Sequence, residues 1–168
     1  MAGALLAMIC RLPVEGHEIA GITLEEAGAR CQRLGEELQA GSAADREAYE
    51  SVRAAFRLPR SSDAERAVRS RAVQAAWVRA AEVPLANANL CWQVLMLAQQ
   101  LEGRTNPNAL SDYRCARLFA QAGLQGCLEN VAINIPMIKD GEIAGRFTAQ
   151  VNELREKLKF TVKNENEV

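Results

Sequence analysis

Asp112 stands in the stretch "TNPNALSDYRCA", residues 105–116, behind Asn106, Asn108 and Ser111 and ahead of an apolar run. A carboxylate fixed at such a point can stabilise a neighbouring positive charge or steer a proton. The exposed amides and the dipole of a helix start favour its ionised form, which works against the raised pKa a general base needs at neutral pH. Electrostatic stabilisation is therefore its first chemical role, and proton abstraction requires additional burial. Asn108 and Ser111 serve equally well as helix caps, worth about 1 kcal/mol each. From these residues alone, cap and site both stay open.

Two further amides, Asn130 and Asn134, lie one helical turn apart on a face that also carries Gly123 and Gly126, so they can be offered to a ring or a carboxylate. Eighteen residues of helix separate Asn130 from Asp112, about 27 Å. The two cannot share one small site within a subunit. Either the asparagines are structural, or an antiparallel partner helix brings them to the other subunit's aspartate. His17 is the single histidine, and the five cysteines (Cys10, Cys31, Cys91, Cys115, Cys127) form no C-x-x-C pair. That excludes a His cluster for a metal and argues against a His-based nucleophile triad. The cysteines read as buried thiols of a reducing compartment. Trp77 and Trp92 read as core or interface anchors, and His17 as a linker residue.

The elements that must position these groups are helices. Thr23 with Glu26 and Ser62 with Glu65 form capping boxes. Leu24, Ala27, Cys31, Leu34 and Leu38 then mark one face at three- and four-residue steps. After "AGSA", Asp45 is expected to cap a second helix with Tyr49, Val52 and Phe56 on one side, ended by Leu58-Pro59. The alanine-rich helix from Ser62 meets Pro84, where a kink or a break is expected because the ring removes a donor and crowds the preceding turn. "LCWQVLMLAQQL" is apolar on most sides and Gly103 stops it. From Asp112 to Ile135 apolar residues recur at helical spacing. Gly123 and Gly126 weaken that helix by about 1 kcal/mol each, which calls for close approach of another helix, within the chain or from a second subunit. Pro136 ends it. Asp140 caps a last helix to about Lys159, and residues 160–168 are expected to fray.

No segment alternates in the manner of a strand, and no repeat is evident. The expected fold is all-α: an up-and-down bundle of five to seven helices, kinked or broken near Pro84, forming one domain over residues 1–168. Lysine and arginine total 20 against 21 acids, so the overall charge gives no footing for nucleic acid or a membrane surface. Locally, eight arginines face five acids between Asp45 and Arg79. The apolar opening "MAGALLAMIC" has no basic flank and is too short to span a bilayer, so it reads as helix, not as signal or anchor.

"DREAYESVRAAFRLP", "AAEVPL", "NPNALSD" and "LENVAINIPMIKD" occur in an order and spacing that resembles the cyclodeaminase/cyclohydrolase family of folate one-carbon metabolism, over about residues 23 to 160. "AGALLAM" looks like the end of that family's first helix. The resemblance implies a helical bundle, a cytoplasmic homodimer, no metal, and no cofactor beyond a tetrahydrofolate substrate, with or without a polyglutamate tail, in a cleft involving the subunit interface. It places Asn106, Asn108, Ser111 and Asp112 at or near the site, with Asn130 and Asn134 as further binding candidates. Lys139 either meets the tail or helps begin the last helix. Two departures stand out. The family's glycine- and serine-rich loop precedes its first helix, whereas this chain starts after it. The residues following the aspartate are usually small, whereas here they are Tyr113 and Arg114.

The implied reaction is hydrolysis of 5,10-methenyltetrahydrofolate to 10-formyltetrahydrofolate. The alternative is cyclodeamination of a formimino tetrahydrofolate with release of ammonia. A third reading, of a different class, is a non-catalytic helical binding or assembly protein of the same fold.

Overall fold

The computed structural model describes residues 1–14 and 22–165. Among the described residues five α-helices follow one another: α1 (Ala2–Ile9), α2 (Leu24–Phe56), α3 (Asp63–Gln100), α4 (Leu110–Asn134) and α5 (Gly141–Glu165). Short 3-10 turns at Pro107–Ala109 and Ile135–Met137 flank α4. The protein is all-α, within the expected range of five to seven helices. His17 lies outside the described residues.

Helix starts follow from local side-chain chemistry. The Thr23 amide donates to Glu26 Oε2 at 2.8 Å while the Glu26 amide donates to Thr23 Oγ1 at 3.2 Å. Ser62 and Glu65 repeat the exchange at 3.0 and 3.2 Å. Asp140 Oδ1 accepts from the amides of Glu142 and Ile143 at 3.0 and 3.1 Å. Each pairing occupies amides that a first turn leaves without partners. Bonds from the Thr23 and Ser62 backbone amides favour the charged carboxylates and hold Glu26 and Glu65 below the usual glutamate value.

One interruption expected from the sequence does not occur, and at Pro84 one of two anticipated outcomes is absent. The "AGSA" stretch is helical and Asp45 lies inside α2, not at a cap. Gly41 meets a packing demand there: a Cβ would lie 1.8 Å from Oδ1 of buried Asn87. Of the two outcomes anticipated at Pro84, the break is absent, because α3 continues through it. Proline lacks the N–H that would serve the carbonyl four residues back. Asn134 Nδ2 donates to that carbonyl, Ala80 O, at 2.8 Å. The C-terminal expectation also shifts: α5 passes Lys159 and reaches Glu165, with Thr161 buried and its hydroxyl returned to the Lys157 carbonyl at 3.0 Å.

The chain forms two compact units, Met1–Ala40 with Ala88–Leu124, and Gly41–Asn87 with Gln125–Val168. In the first, glycines let α1 approach the α2 backbone. A Cβ on Gly3 would sit 2.6 Å from the Cys31 carbonyl oxygen, and one on Gly28 would lie 3.0 Å from Cys10 Cβ. Leu6, Ile9, Leu95, Leu97, Leu101 and Leu124 are fully buried. Gly103, at φ +69°, takes the left-handed conformation that follows the end of α3.

In the second unit, Val52, Ala55, Ala76 and Ala80 form a cluster with Trp77 packed against it. Val131, Phe147, Val151 and Leu154 are also buried. Tyr49 and Phe56, expected on the inward side of α2, are 61% and 48% exposed. Val52 is buried as that stripe requires, and Ala48 and Ala55, each one residue before the aromatics, turn their smaller side chains inward beside it.

Cys10, Cys31 and Cys91 are buried and Cys127 partly so, but Cys115 is exposed, contrary to a uniformly buried set. A hydrogen bond between the Cys10 and Cys31 thiols holds Cys10 below the ordinary thiol value and pushes Cys31 above it. Among the described residues no helix is long and apolar enough to cross a membrane.

Candidate active site

Asp112 occupies the first turn of α4, immediately after the Pro107–Ala109 turn. The residue that fixes this entry is Asn106. Its Oδ1 accepts from the Asn108 amide at 2.9 Å, capping the turn, and its Nδ2 donates to the Pro13 carbonyl at 2.9 Å. The capping role expected of Asn108 and Ser111 thus falls to Asn106. Asn108 and Ser111 are both exposed, with their side chains outside the cap. Asp112 is half-buried, and no described residue bonds its carboxylate.

Tyr113 does not crowd this position. Its ring is buried, its hydroxyl donates to the Ala98 carbonyl at 3.0 Å, and Arg117 lies 5.7 Å over its face. Burial pushes the phenol up to about 12, so it is a fixed donor at neutral pH. Arg114 points outward and is exposed.

Asn130 and Asn134 fall in the last turns of the same helix, in the second unit. Asn134 Nδ2 spends its two hydrogens on the carbonyls of Ala80 and Asn130, at 2.8 and 2.9 Å. Only its oxygen remains for a ligand. Asn130 Nδ2 faces the Asp45 carboxylate at 3.3 and 3.4 Å, so Asp45, expected at a helix cap, belongs instead to a polar group with Asn130. Its signal was the missing break: a carboxylate inside a continuous helix needs a partner on another element.

Lys139 stands apart from both groups. Its main-chain amide donates to Gln74 Oε1 at 2.8 Å, and Gln74 Nε2 donates to the Met137 carbonyl at 3.2 Å. It borders a cleft of about 540 Å³ that Arg60, Arg66, Arg69, Phe56 and Trp77 also line. The sequence showed these arginines only as a local excess of positive charge. Their convergence on Lys139 depends on contacts across more than sixty residues.

The structure thus sets Asn106 and Asn108 in the Pro107–Ala109 turn and its cap, puts Ser111 and Asp112 in the adjoining first turn of α4, joins Asn130 to Asn134, and gives Lys139 different neighbours. Among the described residues no group of three or more His, Cys, Asp or Glu side chains is placed to hold a metal ion.

Residues 1–153 match the family model described as formiminotransferase-cyclodeaminase. The chain is 31% identical over 173 aligned positions to a methenyltetrahydrofolate cyclohydrolase of Methylorubrum extorquens, covering 98% of this chain and 83% of that protein. Its fold is similar to a solved structure of formiminotetrahydrofolate cyclodeaminase from Thermotoga maritima, with a TM-score of 0.73, 24% identity, and coverage of 95% of this chain and 76% of the other. Taken with the helical fold and the ordered motifs, these matches show that the chain belongs to the formiminotransferase-cyclodeaminase family.

Proposed function

We propose that the protein is a methenyltetrahydrofolate cyclohydrolase. Water adds to the cationic methenyl carbon of the substrate and loses one proton; its second proton passes to N5 as the bond from that carbon to N5 breaks, leaving the formyl group on N10. Asp112 stabilises the cationic carbon and the proton leaving the water. The observation that carries this reading is the Asp112 carboxylate, half-buried at a tethered helix start with no partner among the described residues. The Methylorubrum extorquens relative, named for this reaction and aligned to 98% of the chain, supports it.

Exposed Asn108 and Ser111 are the adjacent substrate contacts, and Asn106 positions the turn. We place the enzyme in the cytoplasm as a homodimer. Exposed Leu118 and Phe119 on α4 support a partner surface, being 63% and 43% accessible.

The test is an assay in which loss of methenyl absorbance and release of ammonia from formimino substrate are followed in parallel. Absorbance loss without ammonia is expected. Ammonia release alone assigns the cyclodeaminase reaction, and absence of both, with no folate heat in calorimetry, assigns a non-catalytic assembly protein.

A further inference from the structure

The cleft bordered by Lys139 gathers positive charge of which only Arg66 has an ion-pair partner among the described residues. Its lining includes Arg60, Arg66, Arg69 and Lys139 and no carboxylate. Arg66 pairs with Asp63, while among the described residues none of Arg60, Arg69 and Lys139 takes part in an ion pair. The chain as a whole carries a formal charge of −1, so this concentration is local. Like charges held in one cleft repel, and solvent screening reduces that repulsion without removing it.

Two of these cations are also held in place before any ligand arrives. Arg69 donates through Nε and NH2 to the Phe56 carbonyl at 3.3 and 3.2 Å, with its guanidinium 5.3 Å over the Phe56 ring. Phe56 in turn meets Trp77 edge-on, centroids 6.3 Å apart. Arg66 NH1 donates to the carbonyls of Arg60 and Ser61 at 3.2 and 3.1 Å. Gln74 brackets Lys139 through the main chain, as described above. Guanidiniums anchored this way keep further N–H groups for an acceptor and lose little freedom on binding.

We infer that this cleft is an anion receptor for a molecule bearing two or more neighbouring phosphate or carboxylate groups, seated between Arg60, Arg69 and Lys139. It shares no residue with the Asp112 turn, and its occupancy is read by binding rather than by turnover. A single charge would engage one cation and leave the others repelling. A short chain of charges answers all three, and 540 Å³ accommodates it.

Calorimetric titration at fixed ionic strength, with tripolyphosphate, citrate and acetate as probes, tests the site on the intact chain. Saturable binding of tripolyphosphate, citrate or both is expected, with none for acetate. Tripolyphosphate alone identifies a phosphate receptor and citrate alone a carboxylate receptor. Arg60→Ala and Lys139→Ala should each weaken binding about tenfold or more without altering the thermal melt, because both residues hydrogen-bond their neighbours through main-chain atoms. Arg53→Ala removes the same charge from an exposed pair with Glu50 elsewhere on α2 and should leave binding unchanged. Absence of saturable binding to either probe, or an equal loss in Arg53→Ala, overturns the inference.

Discussion

Asn134 supplies the hydrogen that Pro84 lacks. Its Nδ2 reaches the Ala80 carbonyl at 2.8 Å, the acceptor left open four residues before the proline ring. Removing the amide with Asn134→Ala should cost roughly 1–3 kcal/mol, the range for a polar group left without its partner. In a Pro84→Ala background the cost should shrink, because alanine at position 84 provides the missing backbone donor. Denaturant midpoints of the four proteins in this cycle measure the coupling. Equal costs in both backgrounds would mean that the two residues act independently.

Asp112→Asn keeps the shape of the side chain and removes its charge. Turnover on methenyl substrate should fall about a hundredfold or more, as for loss of one stabilising group at a developing charge. The melting temperature should hold, since no described residue bonds the carboxylate. Initial rates and thermal melts of the same preparation check both halves, and undiminished turnover would remove Asp112 from the reaction.

Gly123 and Gly126 share a helix face but not an environment. A Cβ on Gly123 would lie 3.1 Å from Cys91 Sγ, whereas one on Gly126 would meet nothing within 4 Å. Gly126→Ala should therefore gain up to about 1 kcal/mol of helix stability, and Gly123→Ala should gain less or lose. Chemical denaturation of the two variants decides it. A concentration-dependent loss in Gly126→Ala would instead reveal a second helix packed on that spot.

Acid should loosen two helix starts together. Glu26 and Glu65 are held below the ordinary glutamate value by the backbone amides they cap. Folded carboxyls of lowered pKa add stability above the unfolded value and lose it as pH falls through the folded one. The double variant Glu26→Gln with Glu65→Gln should show a flatter stability profile from neutral into the acid range. Unfolding midpoints across that range provide the measurement, and a profile as steep as the parent's would count against the caps as its source.

Features decided within a few residues were legible in the sequence. Thr23 with Glu26, Ser62 with Glu65, and Asp140 all cap where expected, because donor and acceptor lie three residues apart or fewer. Features decided by distant partners were not. Nothing near Pro84 announces that an asparagine fifty residues later will serve Ala80, and nothing in "AGSA" announces that Gly41 makes room for Asn87.

The candidate site divides in the same way. Asp112 and its turn belong to one short stretch and could be singled out from it, although the cap proved to be Asn106 rather than Asn108 or Ser111. Asp45 beside Asn130, and Arg60 with Arg69 beside Lys139, depend on tertiary contacts. Aromatic side chains misled in one place: Tyr49 and Phe56 look like core, yet Ala48 and Ala55, the residue before each, are buried in their stead alongside Val52.

Gln74 has a consequence for how the neighbourhood of Lys139 responds to its medium. By accepting from the Lys139 amide and donating to the Met137 carbonyl, it imitates one peptide unit of a sheet and splices the α4–α5 corner to α3 with an uncharged group. Neither added electrolyte nor a change of proton activity weakens such a splice by neutralising it. Salt will therefore dim the attraction exerted by this corner while leaving its shape intact, so capture can be tuned without remodelling the scaffold.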